Sequence, residues 1–186
     1  MRWPFSKKIF TVVVLSTAIL NARVCIAQDS ERARAHTLVD AAIQMKDSKQ
    51  AVKLLWQATD IDPTLNEPYI YLALYYNSRE DFAKVVDVYK KLVKYAPKEI
   101  SAYLNIGEAY MSYSPPHYDE ALPFYRKAHE LDPHSVFAAL RIGEILAHEG
   151  NRDEAKRFLK EATSDREKNA AIALEAEKEL HQLGMF

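Results

Sequence analysis

Residues 113–133 read YSPPHYDEALPFYRKAHELDP, and within them Ala121, Tyr125, Ala128 and Pro133 are separated by four, three and five residues. Residues three or four apart lie on one face of a helix, so this spacing predicts an amphipathic helix. Proline lacks a backbone N–H and clashes with the preceding turn, so Pro133 is expected to end that helix. The question is whether the same arrangement occurs elsewhere in the chain.

The same spacing recurs in two further complete copies and in one copy that lacks the proline. The members are Ala51, Leu55, Ala58 and Pro63; Val85, Tyr89, Leu92 and Pro97; and Ala155, Leu159 and Ala162. Upstream of each copy a second set also recurs, namely Ala35, Leu38, Val39 and Ala42; Tyr69, Leu72, Ala73 and Tyr76; Tyr103, Ile106, Gly107 and Tyr110; and Ala139, Ile142, Gly143 and Leu146. Successive prolines are 34 and 36 residues apart. A period of this length predicts a repeated pair of helices.

The residue pattern resembles the tetratricopeptide repeat family from Arg32 to about Glu167. The resemblance implies an all-α fold, a right-handed α-solenoid of four helix-turn-helix repeats. Their expected bounds are about 32–65, 66–99, 100–135 and 136–167. Residues 168–184, KNAAIALEAEKELHQLG, predict a further helix that shields the last hairpin from water, as repeat arrays require. We expect its outer face to carry Glu175, Glu177, Lys178 and Glu179.

Small residues are expected where the two helices of a hairpin approach closely. On the first helices these are Ala73, Gly107 and Gly143, and the expected counterparts on the second helices are Ala51, Val85, Ala121 and Ala155. The large side chains are expected to fill the space between one hairpin and the next; they are Tyr76, Tyr89, Tyr110 and Tyr125.

Three local features bear on the helix boundaries. The 36-residue spacing places two extra residues in the turn that contains SPPH, and Pro123 then requires a helix start near Asp119 or a kink. Asn151 and Glu154 have the spacing of a capping box, as do Asp47 and Gln50.

Residues 1–27 differ in kind from the rest of the chain. Basic residues precede an apolar run at residues 9–20, and small residues precede a cleavage position after Ala27, an order typical of a secretory signal peptide. The alternative is a membrane anchor formed by residues 9–27, although a span needs about 20 apolar residues and the run stops at Asn21. A lipoprotein signal is disfavoured because a valine precedes the single cysteine.

The charge balance argues against nucleic acid as a partner. Four of the 25 basic residues and none of the 26 acidic residues lie in residues 1–27, so residues 28–186 carry 21 basic and 26 acidic side chains, a net charge of −5. The remaining chain has no cysteine and so no disulfide. The absence of Asn-x-Ser/Thr sequons favours a bacterial envelope over a eukaryotic secretory lumen.

No motif in the sequence predicts catalysis, a cofactor or a metal. The six histidines form no HExxH or other close pair of ligands, and no P-loop, GxGxxG or GxSxG occurs. Acidic pairs such as Asp119 and Glu120 fall in predicted first turns, where carboxylates favour the helix dipole. We therefore expect a protein that is not an enzyme.

The resemblance implies that the first helices line a concave groove for a partner. The positions carried over are Tyr71, Leu74 and Asn77 in the second repeat, Asn105, Glu108 and Met111 in the third, and Arg141, Glu144 and His148 in the fourth. This mixture would suit an extended peptide or a partner helix. The ninth positions lack the basic and amide side chains with which family members clamp a C-terminal carboxylate; they are Asp40, Leu74, Glu108 and Glu144. A chaperone-tail adaptor is therefore disfavoured.

These features predict a non-catalytic protein–protein interaction scaffold that is exported to a bacterial periplasm. The resemblance further implies that such a module assists assembly or localisation of envelope complexes. A non-catalytic regulatory subunit of an envelope enzyme is the alternative, and an unrecognised hydrolase is a third hypothesis.

Overall fold

The chain is helical throughout the part that the structure, a computed structural model, describes. That part comprises residues 27–46, 48–164 and 167–184, and it contains helices and turns without a strand. The helices are α1 (27–43), α2 (Ser48–Ile61), α3 (Asn66–Asn77), α4 (Phe82–Tyr95), α5 (Ile100–Met111), α6 (Tyr118–Leu131), α7 (Val136–His148), α8 (Arg152–Ala162) and α9 (Ala170–Gln182). The predicted all-α class is confirmed. Asp47 and all but the last residue of the predicted signal peptide lie outside the described residues, and none of the described helices is long and apolar enough to span a membrane.

The chain divides into two compact units, Met1–Pro68 and Tyr69–Phe186. In the first unit, α1 and α2 each bury residues at the spacing of one helix face: Ala35, Val39 and Ala42 on α1, and Leu55 and Ala58 on α2. The second unit has a hydrophobic core built from α6, α7, α8 and α9. Its largest fully buried side chains include Tyr125, Ile142, Ile145 and Leu159. Burial of these apolar residues is the main stabilising contribution to the unit.

The turn inside each hairpin of the second unit is closed by the same backbone hydrogen bond. The N–H of Asp81 donates to the carbonyl of Tyr76 (3.1 Å), that of His117 to Tyr110 (3.0 Å) and that of Asn151 to Leu146 (2.9 Å). These residues occupy equivalent repeat positions, yet the three connections, 78–81, 112–117 and 149–151, differ in length. The two extra residues predicted beside SPPH therefore lie in the turn between α5 and α6.

The prolines after the second helices act as the sequence predicts. Helices α2, α4 and α6 end two residues before Pro63, Pro97 and Pro133. The N–H of the residue before each proline still bonds one turn back, at 3.0 Å from Asp62 to Ala58, 2.8 Å from Ala96 to Leu92 and 2.9 Å from Asp132 to Ala128. Pro123 lies inside α6, which begins at Tyr118, close to the expected start at Asp119.

Close approach within the hairpins is confirmed, but the contacting residues differ from those expected. A Cβ on Gly107 would lie 2.6 Å from Cζ of Tyr125, and a Cβ on Gly143 would lie 2.7 Å from Cγ of Leu159. The nearest side chains are therefore one turn beyond the expected partners Ala121 and Ala155. It follows that Tyr125 packs against the first helix of its own hairpin, whereas we expected it to pack between hairpins.

The helix caps differ in part from the predictions. Asn151 is the N-cap residue of α8, but its side chain makes no capping bond and instead donates to Glu149 at 3.2 Å, so the predicted capping box is wrong. Side-chain caps are found at Asp81 and Ser135, which accept from the N–H groups of Lys84 and Ala138.

Helix α9 covers the core of the second unit as a terminal helix should. Ala173, Ala176 and Leu180 are buried, and the chain leaves the helix at Gly184 with φ +63°. The prediction for its outer face holds for Glu175 and Lys178, which are exposed. It is wrong for Glu177 and Glu179, which are half-buried, and Glu179 turns toward α7. The outer face also carries Leu174, which is 64% exposed.

Candidate functional site

The predicted binding residues of α3 form an exposed apolar surface. Leu74 is 59% exposed, Tyr71 is half-buried and Asn77 is exposed. Ile70, one turn before Leu74, is also 42% exposed. Ile70 and Leu74 are four residues apart and so lie on one face of α3, where their exposed side chains form a continuous apolar surface with the character of a contact site. We refer to Ile70, Tyr71 and Leu74 as the α3 patch.

The predicted residues of α5 are less accessible. Asn105 is half-buried, and its Nδ2 donates to the carbonyl of Ser101 in the same helix at 2.8 Å. Met111 is half-buried against the core of the second unit. Glu108 faces the following hairpin, where it meets Arg141 of α7.

Arg141 joins two of the predicted carboxylates in one network. Its Nε and Nη2 donate to Oε1 and Oε2 of Glu108 at 2.9 and 3.1 Å, and its Nη1 donates to Oε2 of Glu144 at 2.9 Å. The hydroxyl of Tyr125 donates to Oε1 of Glu108 at 2.5 Å. Bidentate pairing of this kind fixes orientation as well as charge. The network therefore ties α5, α6 and α7 together, and most of the donors of Arg141 are already used.

Within this network, the negative charge of Glu144 is only partly offset by Arg141. Burial alone would lower the pKa of Arg141, but the hydrogen bonds and negative charges of Glu144 and Glu108 raise that pKa above its ordinary value. Burial raises the pKa of Glu144; Arg141 opposes this, while the charges of Glu175 and Glu179 add to it. Carboxylates thus crowd the α9 side of Glu144.

A cavity of about 370 Å³ lies beside this network, between α5, α7, the start of α6 and the end of α9. Its lining residues are Met111, Tyr118, Glu144, Ala147, His148, Glu179 and Leu183. The rings of His148 and Tyr118 lie 4.2 Å apart between centroids. The structure therefore brings together Met111, Glu144 and His148 of the predicted site, whereas the residues of α3 do not line this cavity.

Sequence reasoning missed four residues of this cavity, namely Tyr118, Ala147, Glu179 and Leu183. Of these, the sequence places only Glu179, on the outer face of the terminal helix. One feature of the sequence could have shown that Glu179 is not on the outer face. It lies three residues after Ala176 and next to Leu180, which are both buried, so it is at the edge of the buried face of α9.

Metal chemistry finds no support in the described part of the chain. Across residues 27–46, 48–164 and 167–184, no group of three histidine, cysteine or acidic side chains is arranged to hold an ion.

Comparison with known proteins agrees with the paired helices and their equivalent turns. Residues 117–178, from the residue before α6 into α9, match the family model described as Tetratricopeptide repeat. Residues 117–178 therefore belong to the tetratricopeptide repeat family. The resemblance drawn from residue spacing is thereby confirmed.

Solved structures with the same tetratricopeptide repeat fold include two with long overlaps. The crystal structure of MamA superposes with a TM-score of 0.60 at 22% identity, covering 92% of this chain and 99% of that one. YrrB, described as a TPR protein with an unusual peptide-binding site, superposes with a TM-score of 0.59 at 18% identity, covering 80% of this chain and 77% of that one. At these identities the likeness concerns the fold.

One sequence relative is much longer than this chain. Superkiller complex protein 3 of Homo sapiens is 25% identical over 129 residues, which is 68% of this chain. The matched region is 8% of that relative's length.

Proposed function

We propose that this tetratricopeptide repeat protein is a non-catalytic protein–protein interaction scaffold that binds a peptide or a helix of its partner along α3, α5 and α7. The observation that carries the proposal is the α3 patch, because Ile70 and Leu74 expose aliphatic side chains on a first helix. YrrB, with the same fold, is described as having a peptide-binding site, which supports the same use here.

The chemistry of the surface favours an amphipathic partner segment. The α3 patch is apolar, whereas the cavity beside α7 combines apolar walls with the carboxylates of Glu144 and Glu179. Helical and extended segments are both recognised through apolar anchors at fixed intervals combined with a few polar contacts. A segment with apolar side chains toward one end and a polar or charged residue toward the other would match this surface.

Export to a bacterial periplasm is part of the proposal and is supported by the order of basic, apolar and small residues in residues 1–27. Mass spectrometry of the exported protein should find Gln28 as the first residue. An intact Met1 would instead establish an anchor formed by residues 9–27.

In that compartment the protein would assist assembly of an envelope complex. The second candidate, a regulatory subunit of an envelope enzyme, shares the same binding surface. Affinity purification from the native host separates the two, because an assembly factor should recover structural components and a regulatory subunit should recover one enzyme in a fixed ratio.

The binding surface is tested by two matched leucine substitutions. Leu74→Asp should abolish capture of the crosslinked partner, because it places a charge in the α3 patch. Leu174→Asp makes the same change at a leucine of similar exposure on the outer face of α9 and should leave capture intact. Equal capture by both variants, each with an unchanged thermal melt, would show that the α3 patch is not the binding surface.

A further inference from the structure

The cavity between α5, α7 and α9 combines apolar walls with an unbalanced negative charge. Met111, Ala147 and Leu183 supply aliphatic surface, and Tyr118 supplies an aromatic ring. Glu144 and Glu179, from different helices, line the same space. At about 370 Å³ the cavity is at the small end of the range for ligand pockets, so it suits a single side chain better than a large molecule.

The charges around the cavity do not cancel. Arg141 is one nearby guanidinium, and its hydrogen bonds go to Glu108 and Glu144. Arg152 is a second, and it donates to the backbone carbonyl of Leu183. His148 also lines the cavity, with its ring against that of Tyr118. Among the described residues, no basic side chain forms an ion pair with Glu179. Glu175 adds its negative charge from the preceding turn of α9. Two guanidinium groups therefore accompany four carboxylates, those of Glu108, Glu144, Glu175 and Glu179, and the cavity as it stands attracts a cation.

We propose that this cavity receives a lysine or arginine side chain from the bound partner segment. The proposal rests on the proposed function, because the side chain belongs to the segment that the α3–α5–α7 surface binds. Long basic side chains have an aliphatic stem and a charged head, which match the walls of Met111 and Leu183 and the carboxylates of Glu144 and Glu179. The ring of Tyr118 adds a favourable face for the cation.

Other occupants fit the cavity less well. An apolar side chain would cover Glu144 and Glu179 without pairing them, which is unfavourable for charged groups that lose water. An acidic side chain or a C-terminal carboxylate would be repelled by the same two residues. The cavity therefore selects for a basic residue at one position of the partner segment.

The test begins with random peptides displayed on phage and selected on the purified full chain. We expect the selected peptides to share a lysine or arginine at one position. A synthetic copy of one such peptide is then compared with its Lys→norleucine or Arg→norleucine form, on the wild-type chain and on the Glu179→Gln variant. Glu179→Gln should weaken the basic peptide about tenfold and leave the norleucine form nearly unchanged.

Glu175→Gln is the matched control, since it removes the same charge from the same helix at a residue that does not line the cavity. It should change affinity by less than about twofold at physiological salt. An equal loss with Glu175→Gln would mean that the general field of α9, and not contact in the cavity, attracts the peptide.

The outcomes separate this proposal from the proposed function. Peptides that lose binding on Leu74→Asp but show no preference for a basic residue, and no response to Glu179→Gln, would overturn the cavity proposal and leave the scaffold function standing. No enrichment of any peptide would count against peptide binding itself, and the cavity proposal would fall with it.

Discussion

Gly107 is the residue at which the packing of the second unit leaves least room. A Cβ there would lie within 2.9 Å of three atoms of the Tyr125 ring, which is itself fully buried. Overpacking of a rigid core costs about 1–3 kcal/mol. We predict that Gly107→Ala lowers the free energy of unfolding by about 2 kcal/mol, although alanine favours the helix, as measured by urea unfolding.

Gly150→Ala is the control for this prediction. Gly150 has φ +81° and open space around it, so the substitution strains the backbone without a clash. Its cost should be about 1 kcal/mol. If Gly107→Ala costs no more than Gly150→Ala, the contact with Tyr125 is not tight in solution.

Tyr89 gives the protein a specific sensitivity to alkali. Burial raises the pKa of Tyr89 to about 12 from its ordinary value of 10.0, so the folded protein holds this proton more tightly than the unfolded chain does. The resulting stability is complete below about pH 10 and is lost as the pH rises through about 12. We predict that Tyr89→Phe removes roughly 2 kcal/mol of this pH-dependent loss.

Urea unfolding between about pH 9 and about pH 12 measures the effect on both proteins. Burial also raises the pKa of Tyr125, so both lose stability in alkali, and only their difference reports on Tyr89. Parallel curves for the two proteins would mean that Tyr89 ionises as freely in the folded state as in the unfolded chain.

At the scale of helices and turns, the spacing of apolar residues was enough to place the elements. The second helices α4, α6 and α8 lie where the recurring small and aromatic residues predicted them. The pattern works because a buried helix face must repeat every three or four residues. It does not specify which atoms meet across a hairpin, and for that reason Tyr125 and Leu159, not Ala121 and Ala155, proved to contact the glycines.

The turn between α5 and α6 tolerates its extra length because one hydrogen bond closes it. The bond from His117 to Tyr110 matches the bond from Asp81 to Tyr76, whose turn is two residues shorter. Changes of loop length cost little when the ends stay together. We predict that deleting Pro115 and Pro116 changes the free energy of unfolding by less than about 1 kcal/mol, as measured by urea unfolding.

Deleting the two prolines would also remove one favourable contact in the turn. The rings of Tyr113 and His117 stack with centroids 4.2 Å apart, and shortening the turn separates them. A loss above about 2 kcal/mol would show that this stack, and not the closing hydrogen bond, holds the turn. Tyr113→Ala in the full-length turn measures the contribution of the stack by itself.

At the scale of the whole molecule, repeats contact mainly their neighbours, so a bond that links first helices of successive hairpins is informative. Arg141 makes such a link, because its guanidinium pairs with Glu108 of the preceding hairpin and with Glu144 of its own helix. We predict that Arg141→Met lowers the free energy of unfolding by about 2 kcal/mol, since two half-buried carboxylates lose their counterion. Chemical unfolding measures this loss.

A compensating variant tests the reason for that loss. Arg141→Met combined with Glu108→Gln and Glu144→Gln removes the charges together with their partner, and should recover most of the stability. A triple variant no more stable than Arg141→Met would mean that the arginine stabilises by packing alone. The sequence could not predict this network, because Glu108 and Arg141 are 33 residues apart and meet only when the hairpins stack.

The proposed binding surface was predictable from sequence only in outline. The repeat register named Met111, Glu144 and His148, and all three line the cavity. Glu179 belongs to α9 and Leu183 directly follows it, and both were missed because this helix lies outside the repeat pattern and its placement depends on packing against α7. Because the terminal helix is not part of the repeat, the spacing of residues in the sequence does not identify which of its side chains reach the cavity.

The closing bond of the α5–α6 turn has a practical consequence for measuring binding. Because the bond between His117 and Tyr110 sets where α6 starts, we expect that the exposed residues Ser114 and Pro115 of this turn can be exchanged without moving either helix. A fluorescent label attached there would report binding of a partner to the first helices, and it would lie outside the proposed binding surface. The turn between α5 and α6, which is longer than the turns at 78–81 and 149–151, thus offers an attachment point for a sensor.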